Sequence, residues 1–145
     1  MDDLYSEIDY EKDRIEVFCN YYLTGNNIDL KRLTNLSGVE PTDSYRKGER
    51  TKEGIIHPED MWRISSHKNI TSNKLSDHLE YVLSRAFIVQ EKVMDYIESE
   101  SITVTFDVIF KGDVSGTGPI IPNFWLLKIA KLKHVDLCFE IYNYG

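Results

Sequence analysis

The sequence predicts an α+β domain: a mixed sheet of at least four strands with helices mainly on one face. Three observations carry this. Two segments, Arg14 to Leu23 and Ile102 to Phe110, alternate apolar and polar residues with the period of two of a half-buried strand. Each is followed by a short segment of helical spacing and then another strand-like run. Between them lies one long amphipathic helix, which joins the two strand–helix–strand halves.

In the first strand Ile15, Val17, Cys19, Tyr21 and Leu23 form the apolar phase, and Gly25 ends it. Asn27 is placed to cap a helix, Asp29 suits its positive first turn, and Leu30, Leu33 and Leu36 recur at helical spacing before Gly38, a natural C′ residue. The predicted helix is Ile28 to Ser37. Val39 to Asp60, polar and punctuated by Pro41, Gly48, Gly54 and Pro58, reads as a long loop, of the kind that in compact domains is functional or mobile. Met61 to Ser65 reads as a short strand centred on Trp62 and Ile64. From Ser72 or Asn73 to Glu98, the residues Leu75, Leu79, Val82, Ala86, Val89 and Val93 form one apolar stripe, the pattern of an amphipathic helix lying on a sheet. After the Ile102 strand comes a glycine-rich turn, Lys111 to Pro119. A helix is then predicted from Pro122 through His134, followed by a last strand, Val135 to Tyr144.

The halves align with one another. Ile15, Val17, Cys19, Tyr21, Leu23 and Gly25 match Ile102, Val104, Phe106, Val108, Phe110 and Gly112, and Asn27, Leu30 and Leu33 match Asn123, Leu126 and Ile129. An internal repeat with a parallel, right-handed crossover in each half is therefore expected. The expected organisation is a single domain over 1–145, with an acidic segment at 1–13, the first half at 14–65, the long helix at 72–98 and the second half at 102–144.

The 145 residues carry 17 Lys and Arg against 24 Asp and Glu, a net charge of −7, which argues against a nucleic-acid binder. No apolar run approaches the ~20 residues of a membrane span, and the acidic Met1 to Asp13 segment does not read as a signal or transit peptide. Two cysteines, Cys19 and Cys138, are too few for a disulfide scaffold and read as buried reduced thiols of a cytoplasmic protein.

Gly38-Val39-Glu40-Pro41-Thr42, Lys47-Gly48-Glu49, Trp62 with Ser65-Ser66, and Leu75, His78 and Leu79, in this order and spacing, resemble a bacterial family known only as domain of unknown function 4279. The resemblance spans about Ile15 to Tyr142; the acidic segment before Arg14 falls outside it. It implies a small bacterial cytoplasmic α+β protein, of a kind that includes candidate immunity or accessory proteins near toxin genes, and it carries no activity with it.

The chemistry-bearing residues are few. Lys31 to Lys52 holds six basic and three acidic residues, a locally basic stretch in an acidic chain. Arg46, Lys47, Glu49 and Arg50, with His57 and Trp62 beyond them, are the candidates for a partner or anion site, Arg46 and Arg50 being expected to pair with Glu49 or Asp60. The same loop also reads as a solvated turn. His57, Glu59, Asp60 and His67 lack the spacing of a metal or general-base site. The turn Lys111 to Gly118 resembles a phosphate loop in composition only. Phe18, Tyr22, Tyr142 and Tyr144 would make an exposed aromatic platform if one sheet face is uncovered. No catalytic residues, metal or cofactor are implied. The expected function is a non-enzymatic protein-interaction domain, such as an immunity-type inhibitor whose acidity steers it onto a basic toxin or nuclease, with no membrane or nucleic-acid partner and a homodimer as a further option. The alternative is a small-molecule or anion-binding module built on loop 41–52.

Overall fold

A computed structural model describes residues 15–113 and 120–144. The acidic segment 1–13 and most of the glycine-rich turn lie outside the described residues. Eight elements follow in order: β1 (Ile15–Gly25), α1 (Leu30–Ser37), β2 (Asp43–Tyr45), β3 (Asp60–Ser65), α2 (Leu75–Ser99), β4 (Thr103–Gly112), α3 (Asn123–Ile129) and β5 (Val135–Asn143). The strands form one mixed sheet in the order β2-β3-β1-β4-β5, antiparallel except for the β4/β5 pair. The class is α+β, as the alternation and the three helical segments predict.

The helices share one face. Ile15, Val17, Cys19, Tyr21 and Leu23 of β1 and Val104, Phe106, Val108 and Phe110 of β4 pack in a single core. Leu30 and Leu33 of α1, the α2 stripe from Leu75 to Ile97, and Trp125 and Ile129 of α3 complete it. Burial of these apolar side chains is the main stabilising term, each contributing about 1.5–3 kcal/mol. Trp62, fully buried, sends its indole N–H to the Thr34 hydroxyl at 3.0 Å and so fastens β3 to α1.

Several expectations need correction. Helix α1 is capped by Asp29, whose carboxylate accepts from the Arg32 N–H at 3.0 Å, and not by Asn27, which lies at φ 62°. Gly38 does close the helix, at φ 70° with its N–H on the Thr34 carbonyl. The 39–60 segment is not a plain loop: it contains β2, and Arg50 and Ile56 bridge further out in a hairpin. Helix α3 ends at Ile129, well short of His134, which has φ 57° and lies 2.9 Å from the Glu98 carboxylate.

The two halves also differ in strand direction. β5 runs parallel to β4, as a crossover requires, but β3 runs antiparallel to β1. Because β2 and β3 form a hairpin, β2 is the strand that returns parallel to β1 after α1, and β3 is inserted between them. The β1–α1 half is thus a split crossover, which a hydrophobic pattern cannot distinguish from a simple one.

Candidate functional site

The residues quoted in the family resemblance are mostly scaffold. The Ser66 hydroxyl accepts the Cys19 N–H at 2.9 Å and lies 2.7 Å from His78 Nδ1. His78 Nε2 is 2.5 Å from the Ser72 carbonyl, which only accepts, so Nε2 carries the proton and Nδ1 receives the Ser66 hydroxyl. Ser66, His78 and Cys19 are all buried, and the Cys19 thiol donates to the His78 carbonyl at 3.2 Å. Burial holds the His78 imidazole below its usual range against the opposing Ser72 carbonyl, and burial pushes the Cys19 thiol up. The trio has the residue types of a nucleophile and base, but with no exposed reacting atom it locks the end of β3 to β1 and α2. Thr42 works beside it, its hydroxyl accepting the Ser65 N–H at 2.9 Å.

The β2–β3 hairpin carries the basic candidates. Arg46, Lys47, Glu49 and Arg50 are exposed, and His57 is half-buried with its ring stacked on Tyr45 at 4.1 Å. Contrary to the expected carboxylate pairing, the Arg46 guanidinium donates to the Ile28 carbonyl at 3.5 Å and that of Arg50 to the Gly54 carbonyl at 3.1 Å. Glu49 and Asp60 serve the backbone instead. Glu49 accepts the Arg46 N–H, and buried Asp60 accepts the Lys47 and Ile28 N–H groups at 2.8 and 2.9 Å. Burial opposes the Asp60 charge, but these two backbone bonds and the nearby Arg46 hold its carboxyl below the usual range. Gly48, at φ 92°, is the turn residue that lets its N–H reach the His57 carbonyl at 2.9 Å. Trp62 belongs to the core and is removed from the binding candidates by its complete burial.

Among the described residues the other sheet face carries no helix. Strand register arranges its side chains in rows. Glu16, Lys111 and Tyr142 form the first row, and Phe18, Ile109 and Glu140 the second. Ser65, Asn20, Asp107 and Cys138 form the third. Asp43, Arg63, Tyr22, Thr105 and Asp136 form the fourth, and Tyr45, Met61, Thr24 and Thr103 the last. Asp43 and Arg63 make a two-pronged ion pair within their row. His67 stacks on Phe18 at 4.3 Å and lies 3.4 Å from the Glu16 carboxylate. Lys111 sits over both Phe18 and Tyr142, 5.4 Å from each ring centroid.

Of the expected aromatic platform, Tyr142 and Tyr144 are exposed and Tyr22 is half-buried. Phe18 is only 6% exposed, because His67 and Lys111 cover its ring. Cys138 also departs from expectation. It is exposed on this face, separated from Cys19 by β4 as well as by the thickness of the sheet.

Two residues not singled out from the sequence lie at the centre of the face. Asn20 and Asp107 are cross-strand partners, 4% and 3% exposed. The Tyr22 hydroxyl donates to Asp107 Oδ2 at 3.1 Å. Asp107 Oδ1 and Asn20 Oδ1 are buried without a hydrogen-bond partner. Burial raises the Asp107 carboxyl above its usual range, and the charge of Glu140 adds to this, against the pull of Asn20, Tyr22 and Arg63. Both residues fall in the polar phase of their strands, so alternation alone reads them as ordinary solvent-facing positions.

The family described as Domain of unknown function (DUF4279) matches residues 13–144. The chain belongs to this family. No curated protein and no solved structure matches it. Among the described residues no group of three or more His, Cys, Asp or Glu is placed to hold a metal ion, and no helix is long and apolar enough to cross a membrane.

Proposed function

We propose that the protein is a non-enzymatic interaction domain of the bacterial cytoplasm, which binds a basic partner protein across the sheet face opposite the described helices, as an immunity-type inhibitor does. The observation that carries this reading is the charge of that face. Glu16, Asp43, Asp107, Asp136 and Glu140 stand on it against two basic residues, Arg63 and Lys111, and Arg63 is already paired with Asp43. Exposed Tyr142 and half-buried Tyr22 add aromatic area of the kind enriched at interfaces. A second copy is the poorer occupant, since it would bring like charges together. The Ser66–His78 pair is enclosed, which supports a role without catalysis.

The anion-binding alternative rests on the β2–β3 hairpin. There the guanidinium groups of Arg46 and Arg50 already donate to backbone carbonyls, which favours a structural role for them. Affinity capture from the native lysate tests the choice, with wild type, Glu16→Lys/Glu140→Lys and Arg46→Ala/Lys47→Ala/Arg50→Ala as baits. The expected result is a basic protein retained by wild type and by the hairpin variant and lost with the charge-reversed face. Loss with the hairpin variant and retention by the face variant would transfer recognition to loop 41–52.

A further inference from the structure

We infer that Asn20 and Asp107 form an anchor site for an arginine guanidinium of the basic partner, with Tyr22 occupying the site until the partner arrives. The inference rests on the sheet-face reading above and names the chemistry at its centre. A carboxylate buried without a cation is costly unless it is compensated. Among the described residues Asp107 Oδ2 accepts from Tyr22 and the Asn20 side chain also favours its charge, yet Oδ1 is buried with no donor at hydrogen-bond distance. Its cross-strand partner Asn20 presents a second buried acceptor without a donor. The shortage on both strands is of donors, so the complementary group is one rich in donors and lacking acceptors.

Guanidinium fits this description better than ammonium. It presents five N–H donors in a planar fork that meets both oxygens of a carboxylate at once, with donors to spare for an amide oxygen beside it. Its weaker hydration lowers the cost of entering a shielded position, and its flat faces stack on aromatic rings, here Tyr22 of the same face. The charges around Asp107 favour a cation as well. Glu140 of β5 adds a like charge, and Arg63 of β3, whose charge opposes that of Asp107, is engaged by Asp43. Tyr22 must release Oδ2 for the fork to close on both oxygens, so its hydroxyl competes with the ligand and its half-buried ring is the part that moves. Arginine is among the residue types that dominate binding energy when fully desolvated at an interface centre.

The test uses the full chain and two small probes, N-acetyl-arginine amide and N-acetyl-lysine amide, titrated at neutral pH and followed by amide nuclear magnetic resonance. The arginine probe is expected to shift the Asn20 side-chain amide and the Asp107 region saturably, and to bind several-fold more tightly than the lysine probe. Asp107→Asn keeps the shape and is expected to weaken arginine binding at least tenfold. Tyr22→Phe removes the competing hydroxyl and is expected to strengthen it about twofold to fivefold, an effect that a purely structural Tyr22 would not give. Equal binding of the two probes, shifts confined to Glu16 and Glu140, absence of saturable binding, or an Asp107→Asn variant that binds as wild type would each overturn the anchor. The lysate experiment distinguishes the sheet face from the anchor within it. A partner lost with Glu16→Lys/Glu140→Lys but kept by Asp107→Asn leaves the sheet face standing and removes the anchor.

Discussion

Replacement of Ser66 by alanine isolates the buried lock between β1, β3 and α2. One hydroxyl there serves two groups, accepting the Cys19 N–H at 2.9 Å and bonding His78 Nδ1 at 2.7 Å. Ser66 is 0% exposed, so neither group recovers a bond from bulk water when the oxygen is removed. A buried polar group left without its partner costs about 1–3 kcal/mol, so two orphaned groups with partial relaxation give about 2–4 kcal/mol for Ser66→Ala. With a urea dependence of about 2 kcal/mol/M for a domain of this size, the unfolding midpoint should fall by about 1–2 M. The neighbouring Ser65 is the control. Among the described residues its hydroxyl accepts only the His67 N–H, at 3.1 Å, so Ser65→Ala should cost about 1 kcal/mol. Urea denaturation followed by tryptophan fluorescence at pH 7.5 reads both variants. Equal midpoints for Ser66→Ala and wild type would refute the reasoning, since they would mean that Cys19 and His78 find other partners at no cost.

Trp62→Ala should cost roughly 3–5 kcal/mol as a core cavity, measured by the same urea midpoint, and an unchanged midpoint would contradict its complete burial. His78 sets one pH slope. Its folded pKa lies below 6.5, so the unfolded chain binds the extra proton first and stability should fall as pH drops below about 6.5; His78→Gln should flatten that limb of a thermal-melt pH series. Asp107 works in the opposite sense. Its folded pKa is raised above 3.8, so the native state holds the proton longer and stability is lost as pH rises through that window; Asp107→Asn should remove this loss and melt higher than wild type at pH 7. Arg46→Ala/Lys47→Ala/Arg50→Ala should leave the unfolding free energy from urea denaturation within about 1 kcal/mol of wild type, because exposed charges contribute little and the hairpin is held by backbone bonds such as His57 N–H to the Glu49 carbonyl.

The fold was legible where one physical period dominates. The alternation of Ile15 to Leu23 and Ile102 to Phe110, and the stripe of Leu75 to Val93, each place a buried face on one element, and those faces meet in one core. Strand direction was not legible. β2 is three residues long, too short for a period, and without it the return of the chain after α1 looks like a simple crossover instead of a split one. Helix ends were misjudged where another residue satisfied the backbone better: Asp29 caps α1 in place of Asn27, which takes up a left-handed turn. The motif residues from Gly38 to His78 marked the family correctly, yet their chemistry is chiefly that of caps, turns and buried hydrogen bonds.

The centre of the sheet face was hidden for a different reason. Asn20 and Asp107 obey the alternation, and only pairing across β1 and β4 brings them together, flanked by Tyr22 and shielded from water. A sequence pattern gives the face on which a side chain stands but not how deeply its neighbours cover it. That depth decides the energetics here, since an exposed carboxylate costs nothing and a shielded one without enough donors destabilises the fold. A core-facing residue with such a deficit would have to be met by another part of the scaffold. Asp107 instead stands on the face opposite the described helices, where a donor can come from a second molecule once Tyr22 moves aside. A carboxylate whose replacement by asparagine raises stability and weakens binding is therefore the signature to look for, because selection for folding alone would not retain it.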